Sequence, residues 1–440
     1  MMSGPQLSAL DVAFLCMESE TTPMHMGAVV TFRPHGQVHA RKLTALLAER
    51  AARIPKLRQR PRTALFPPGA AVWADDPGFV ASEHISHHHL SSLYEPDPLS
   101  AYASRWMGRP LDTGKPLWDL HLVTGLPDGE FALLLKLHHA LTDGAGAYAV
   151  AAGLLDAVPR AVRRPHSGAV PPAPRSPVDA VKDAFGSTLA QAGESAGIAS
   201  SVVRATRSPL SPISAPPSTE RRLGLVRLDT GEIRRIRRTH GGTANDVVLA
   251  ILAGALREWM INRGQRADDR TLRALIPVSV RGRSAEQLGG NKLSGYLCDL
   301  PVGLDDPVKR LLAVQREMSR NKAAGPGRGA GAFPLLADRM PPMLHRLGSR
   351  AAGLAAPLLF DLVVTTVPVP PSRLTLDGTR LESVYPFVPL APRQAVGIAV
   401  ATYRDSVHIG LQANGAAVSD VGSLRDGVLK SAARLLDTAS

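Results

Sequence analysis

The stretch Lys136-Leu137-His138-His139-Ala140-Leu141-Thr142-Asp143-Gly144 sets two imidazoles, a carboxylate and a glycine close together along the chain. An imidazole, with a free pKa of about 6.5, suits proton abstraction at neutral pH. Neighbouring residues on a strand point to opposite faces, so only one of His138 and His139 can look into a given cleft. Asp143 can hold the following loop or fix an imidazole tautomer, and Gly144 permits a tight turn and close backbone approach. The same residues also fit a satisfied core histidine followed by a helix-capping aspartate, and the stretch by itself does not choose. A metal site would need a third ligand at a suitable spacing, which is missing, so none is expected.

Several elements must position these groups. Phe131 to Leu137 is a nearly continuous apolar run, the pattern of an interior strand. Small residues from Gly144 to Ala157 predict a closely packed helix. Gly27 to Phe32 and the alternating Leu117 to Val123 read as strands, and Ala40 to Arg53 as an amphipathic helix. Composition shifts at Pro159, and residues 159–220 read as a Pro/Arg-rich linker with a helix at Val178 to Arg207. The chain then restarts. Thr243-Ala244-Asn245-Asp246 is an N-cap signal for a helix reaching Asn262. Strands are expected at Thr271–Val280, Ser294–Leu300, Leu362–Val367, Ala395–Thr402 and Ser406–Gln412, a mobile loop at Gly325–Gly331, and a closing helix at Asp420–Leu436. Two α/β halves, 1–158 and 221–440, around a connector are therefore expected.

The chain has 440 residues, enough for two to three domains, with 44% apolar and 20% charged residues. That excludes a wholly disordered protein. Two cysteines, Cys16 and Cys298, exclude a disulfide framework, fit a reducing cytoplasm, and read as small buried hydrophobes. The longest apolar stretch, Ala351 to Val367, is broken by Pro357 and Asp361, and Met1 to Pro5 lacks the basic and apolar regions of a signal peptide. A soluble or peripheral protein is expected. The net charge of +13 suits phosphate-bearing partners. Without a helix-turn-helix, zinc finger or aromatic-basic platform, nucleic acid is not among them, which leaves an anionic lipid surface or a phosphate-bearing co-substrate. His84 and His87-His88-His89 read as solvated surface.

HHxxxDG followed by Ala145-Gly146 resembles the active-site motif of the bacterial wax ester synthase/diacylglycerol acyltransferase family, within the wider CoA-dependent acyltransferase superfamily. Leu7-Ser8-Ala9-Leu10-Asp11 and Thr22-Pro23-Met24-His25-Met26-Gly27 are similar to the family's N-terminal signature. Pro116-Leu117-Trp118 matches its PLW motif and Asn245-Asp246 its ND motif. Pro277 to Arg281, Gly290-Asn291-Lys292 and Asp299-Leu300-Pro301 extend the likeness from about Leu7 to Leu436. Where the family commonly has an Asn-Val-Pro-Gly-Pro turn, this chain has Thr366-Val367-Pro368-Val369-Pro370.

The resemblance implies two chloramphenicol-acetyltransferase-like α/β domains with mixed sheets. It also implies an O-acyltransferase that moves a long-chain acyl group from acyl-CoA to diacylglycerol or a long-chain alcohol. His139 would be the general base, His138 a supporting group, and Asp143 with Gly144 the organisers of the loop, Asp143 through a structural ion pair. Asn245 would hold the site or donate to the oxyanion; Asn245-Asp246 reads equally as a helix cap, and Pro116, Leu117 and Trp118 as core at a strand start. No cofactor is implied beyond acyl-CoA as co-substrate, and no nucleophile elbow is present, in keeping with direct transfer. A peripheral position on the inner membrane face or lipid droplets is expected. A condensation-type enzyme using a carrier-protein thioester and an inactive lipid-binding homologue are the alternatives.

Overall fold

The computed structural model describes residues 5–63, 71–91, 96–142, 144–158, 211–279, 293–324, 359–369 and 372–439. The first half builds α1 (Ala9–Met17), β1 (His25–Arg33), α2 (Ala40–Ala52), β2 (Gln59–Thr63), β3 (Ala71–Asp75), β4 (Ile85–His89), α3 (Pro98–Met107), β5 (Trp118–Thr124), β6 (Phe131–His138), α4 (Gly144–Leu154) and β7 (Asp156–Val158). The second builds β8 (Arg221–Asp229), α5 (Thr230–His240), α6 (Ala244–Asn262), β9 (Leu272–Ser279), β10 (Leu293–Leu300) and α7 (Pro307–Ala324). It continues with β11 (Leu362–Val367), β12 (Arg373–Leu376), β13 (Thr379–Phe387), β14 (Val396–Tyr403), β15 (Ser406–Asn414) and α8 (Val421–Asp437). Residues 159–210, which hold most of the expected linker and its helix, and the loop at Gly325–Gly331 lie outside the described residues.

Among the described residues the strands form two large mixed sheets, ordered β4-β5-β6-β1-β13-β12-β7 and β10-β9-β11-β14-β15-β8, beside a small β2-β3 ribbon. The first sheet is antiparallel except between β4 and β5. In the second, β11 runs parallel to both β9 and β14. The expected strands and most of the expected helices are present. Two features differ. The helix opened by Gly144 stops at Leu154 because Asp156–Val158 leaves to pair with β12, and Arg50 holds the break by donating to Leu154 O and to Asp156. Further, β12 and β13, late in the chain, belong to the first sheet: β13 lies against β1 with Val29 opposite Tyr385.

All eight residues of β6 are buried, because both faces are covered. Phe131, Leu133, Leu135 and Leu137 pack with Leu43 and Leu47 of α2 and Val150 of α4. Ala132 and Leu134, on the other face, pack with Ala103, Trp106 and Met107 of α3 and with Leu223 of β8. The second sheet is covered by α6, buried continuously from Asp246 to Leu256, with α7 and α8 beside it. A helix apolar all round needs cover on every side. The sheets meet closely: a Cβ on Gly410 of β15 would stand 1.8 Å from the carbonyl oxygen of Pro386 on β13. Ser104 of α3 accepts from Leu223 N (2.9 Å), and Arg221 reaches the Thr21 carbonyl at 2.8 Å. The end of the expected linker is also part of the second core, where Ile213 and Ala215 are buried.

Candidate active site

The two histidines sit where β6 ends, and the neighbouring motifs grip their backbone. Leu117 O accepts from His138 N at 3.0 Å, Met24 O accepts from His139 N at 2.8 Å, and the turn closes as Leu141 N donates to His138 O. Leu117 of PLW thus grips the end of β6 through its backbone while its side chain fills the core. Leu117 and Trp118 are buried, and Trp118 Nε1 donates to Leu57 O at 2.8 Å. Pro116 O receives Trp118 N. Met24 is buried and Met26 is partly buried against the first core.

The two imidazoles have different surroundings. His138 is fully buried. Its Nδ1 accepts the Ala140 N–H at 3.0 Å, so that nitrogen carries no proton and Nε2 donates to Glu18 Oε2 at 2.8 Å. Glu18 follows the last residue of α1, and its Oε1 is buried with no hydrogen-bond partner among the described residues. His139 is half-buried and its ring stacks on Phe14 of α1, with centroids 4.1 Å apart and planes 25° apart. Phe14 and Glu18 are four residues apart, so the C-terminal turn of α1 presents one to each histidine.

Sequence reasoning missed both residues. The signal available was the Ser8/Asp11 capping box, which starts α1 and so sets where Phe14 and Glu18 fall. Asp143 lies outside the described residues, and Gly144 is the first residue of α4.

On the same sheet face as His138, two more buried groups hold the C-terminal end of α3. His25, opposite His138 on β1, donates from Nε2 to Met107 O at 2.8 Å. Lys136 donates to Trp106 O and Arg109 O, each at 2.8 Å, and its ammonium lies over the Trp106 ring. Such donors suit the negative end of a helix dipole. Burial pushes the Lys136 amine down to about 8, and burial together with the positive charge of Lys136 holds His25 well below the usual histidine range.

In the second half, Asp246 closes a capping box with Thr243: its Oδ2 accepts from Thr243 N at 2.7 Å, while its own N–H donates to Thr243 Oγ1. The Asp of the ND motif is therefore the third-residue partner of the capping box, with Thr243 as the cap. Asn245, in the first turn of α6, accepts a long hydrogen bond (3.4 Å) from Thr366 Oγ1 of β11. The altered Thr366-Val367-Pro368-Val369-Pro370 segment thus still begins against the ND motif. The site residues form two groups, one at the end of β6 and one at the start of α6. Arg221 of β8 joins the halves near the first group through Thr21, three residues past Glu18. Of the histidines read as solvated, His87, His88 and His89 are exposed, but His84 is half-buried, stacked on Trp118 at 4.6 Å.

Two mixed sheets, with the His-His pair where a central strand of the first ends, make a fold shared with solved acyltransferase and condensation-domain structures. The structure superposes on a wax ester synthase/diacylglycerol acyltransferase from Marinobacter aquaeolei with a TM-score of 0.74 at 24% identity, covering 99% of each chain. It also matches the first condensation domain of the CDA synthetase with a TM-score of 0.60 at 18% identity, covering 99% of this chain and 97% of that one. These likenesses show the fold.

The sequence narrows the class. Residues 7–248 match the wax ester synthase/diacylglycerol acyltransferase catalytic domain, and residues 289–435 match the C-terminal domain of the same family. The probable diacylglycerol O-acyltransferase tgs1 of Mycobacterium tuberculosis is 31% identical over 451 residues, covering 98% of this chain and 95% of its own. A second protein of that organism, the probable diacylglycerol O-acyltransferase tgs2, is 31% identical over 423 residues, covering 91% and 92%. The chain belongs to the wax ester synthase/diacylglycerol acyltransferase family.

Proposed function

We propose that the protein transfers a long-chain acyl group from acyl-CoA to the hydroxyl of diacylglycerol or a long-chain alcohol, with His139 as the general base. The observation that carries this reading is the division of labour between adjacent histidines. His138 is fully buried with its ring fixed by Glu18 and Ala140, whereas His139, stacked on Phe14, is only half-buried.

The chemistry balances without a covalent acyl-enzyme. His139 takes the hydroxyl proton as the acceptor oxygen attacks the thioester carbonyl. The tetrahedral oxyanion collapses, the C–S bond breaks, and the proton returns from the imidazolium to the CoA thiolate. Ester and free CoA are the products, and acyl-CoA enters as co-substrate. Proton transfer by a positioned base is worth about 10²–10⁴-fold. His138 is a positioning residue: Glu18 and Ala140 fix its ring, and its backbone fixes the turn that presents His139. Asn245 is suited to hold the second wall of the site or to donate to the oxyanion. Gly144 opens α4, and Asp143, to which the family resemblance gives the organising of that loop, lies outside the described residues.

No helix among the described residues is long and apolar enough to cross a membrane. An acceptor this apolar resides in lipid, so the reading includes a peripheral position on the inner membrane face or lipid droplets. Arg160, Arg163, Arg164 and Arg175 of the Pro/Arg-rich linker, suited to contact an anionic surface, lie outside the described residues.

The test is incubation of pure protein with labelled palmitoyl-CoA and either dioleoylglycerol or hexadecanol, followed by thin-layer separation. Triacylglycerol or wax ester with stoichiometric CoA is the expected product. Transfer only from a carrier-protein thioester, or binding without turnover, would overturn the reading.

A further inference from the structure

One helix of the second half is dense in arginine. Helix α5 reads Thr-Gly-Glu-Ile-Arg-Arg-Ile-Arg-Arg-Thr-His. Ile233 and Ile236 are buried against the second core, and this orientation leaves Arg234, Arg235, Arg237 and Arg238 exposed. Helix α7 adjoins its C-terminal end: Gln315 of α7 donates to His240 O (3.3 Å) and Gly241 O (3.1 Å). Arg316, the next residue, and Leu312, about one turn back, are exposed, Leu312 by 44%.

None of these five arginines pairs with a carboxylate among the described residues; Arg237 and Arg316 donate only to the backbone carbonyls of Gly242 and Leu312. Arginines on the neighbouring helices are neutralised, Arg257 by Asp268, Arg263 by Asp420 and Arg425 by Asp426. A cluster of like charges left unneutralised weakens a fold through self-repulsion, and an anionic partner relieves it.

We propose that the α5–α7 face seats the protein on a bilayer containing anionic phospholipid, the arginines meeting headgroup phosphates and Leu312 entering the interface. A guanidinium binds phosphate oxygens in a bidentate fork, and a basic helix carrying an exposed apolar residue suits an interfacial position. Nucleic acid fits less well. Neither helix carries a Phe, Tyr or Trp to stack on a base, and Leu312 would gain nothing from a sugar-phosphate backbone.

The position of the patch adds a reason. Gly241-Gly242 leads from α5 to Thr243, the cap of α6, two residues before Asn245. Docking on this face therefore brings the second wall of the site to the lipid, and an apolar acceptor can enter there. Only this last consequence rests on the acyl-transfer reading.

The experiment is co-sedimentation with vesicles of phosphatidylcholine alone and of phosphatidylcholine with about one-third phosphatidylglycerol, at low salt and at ~0.5 M salt. CoA release with a short-chain alcohol is followed in parallel. The wild-type protein is expected on the anionic vesicles at low salt only. Arginine near a charged leaflet contributes about 1 kcal/mol, roughly fivefold in partition each, so Arg234→Gln, Arg235→Gln, Arg237→Gln and Arg238→Gln together should cost at least about tenfold. The four lysine substitutions should retain binding, Leu312→Glu should weaken it, and CoA release should stay unchanged in all of them. Wild-type protein that ignores anionic vesicles, a glutamine variant that binds as well as wild type, or retention on a DNA duplex with none on vesicles would each overturn the proposal. If arginine-dependent binding persists while no variant and no wild-type protein releases CoA, the docking stands and the acyl-transfer reading falls.

Discussion

Glu18 Oε2 lies 2.8 Å from Nε2 of the fully buried His138, and the pair links the end of α1 to the strand that carries His139. The carboxylate is the only side-chain group the described structure gives to that nitrogen. Glu18→Ala leaves a buried N–H unpaired, which costs about 1–3 kcal/mol. The expected result is a lower melting temperature with a fall in kcat larger than any rise in KM, since the turn loosens without losing a substrate contact. Glu18→Gln keeps an acceptor oxygen and should recover part of both. Unchanged stability and turnover in Glu18→Ala would remove the positioning role.

His139→Ala is expected to lower turnover by about 10²–10⁴-fold, with acyl-CoA binding little changed and the fold intact. His138→Ala removes a buried, doubly hydrogen-bonded ring, and its loss should appear first in thermal stability. A folded His139→Ala protein with near-native ester synthesis beside a folded but dead His138→Ala protein would exchange the two roles.

Stability should fall in acid because of His408. Neither ring nitrogen of this buried histidine has a hydrogen-bond partner among the described residues. Burial, followed by the positive charge of Arg227, pushes its imidazole down to about 4. Below about pH 6.5 the unfolded chain takes up a proton that the folded chain refuses until about pH 4. The unfolded state then binds more protons, so stability declines as pH falls through that window, by about 3 kcal/mol from this group. His408→Leu should flatten the acid limb of a chemical-denaturation series between about pH 7 and pH 4.5. An identical slope in the two proteins would show that the group does not carry the effect.

Gly410→Ala tests the contact between the sheets. The added methyl would fall 1.8 Å from the Pro386 carbonyl oxygen, and backbone cannot step aside as the tip of a side chain can. Overpacking of this kind costs about 1–3 kcal/mol or more. A loss of several degrees in melting temperature is expected, whereas Gly422→Ala, where an added Cβ meets nothing, should change little. Equal melting temperatures for the two variants would contradict the close approach of β15 and β13.

Much of this protein is written in short-range pattern. The apolar run Phe131 to Leu137, the cap at Thr243 and the alternation in Leu117 to Val123 each specify an element from a few neighbouring residues, and HHxxxDG marks the site. Periodicity and capping act within a turn or two, so one sequence is enough to read them.

The tertiary structure decided what depends on distant residues. The pairing of β13 with β1 joins residues some 350 positions apart, and no local preference specifies it, because strand partners are chosen by which buried faces fit together. Glu18 has the same history: an acid just after a short helix is an ordinary sequence feature until α1 packs beneath the end of β6 and sets it against His138. The residue types that allow proton transfer were legible in the sequence. Which histidine is locked inside the fold and which is left partly open followed only once α1, β1, β5 and β6 had packed together, since burial and hydrogen bonding belong to the assembled surroundings of a side chain.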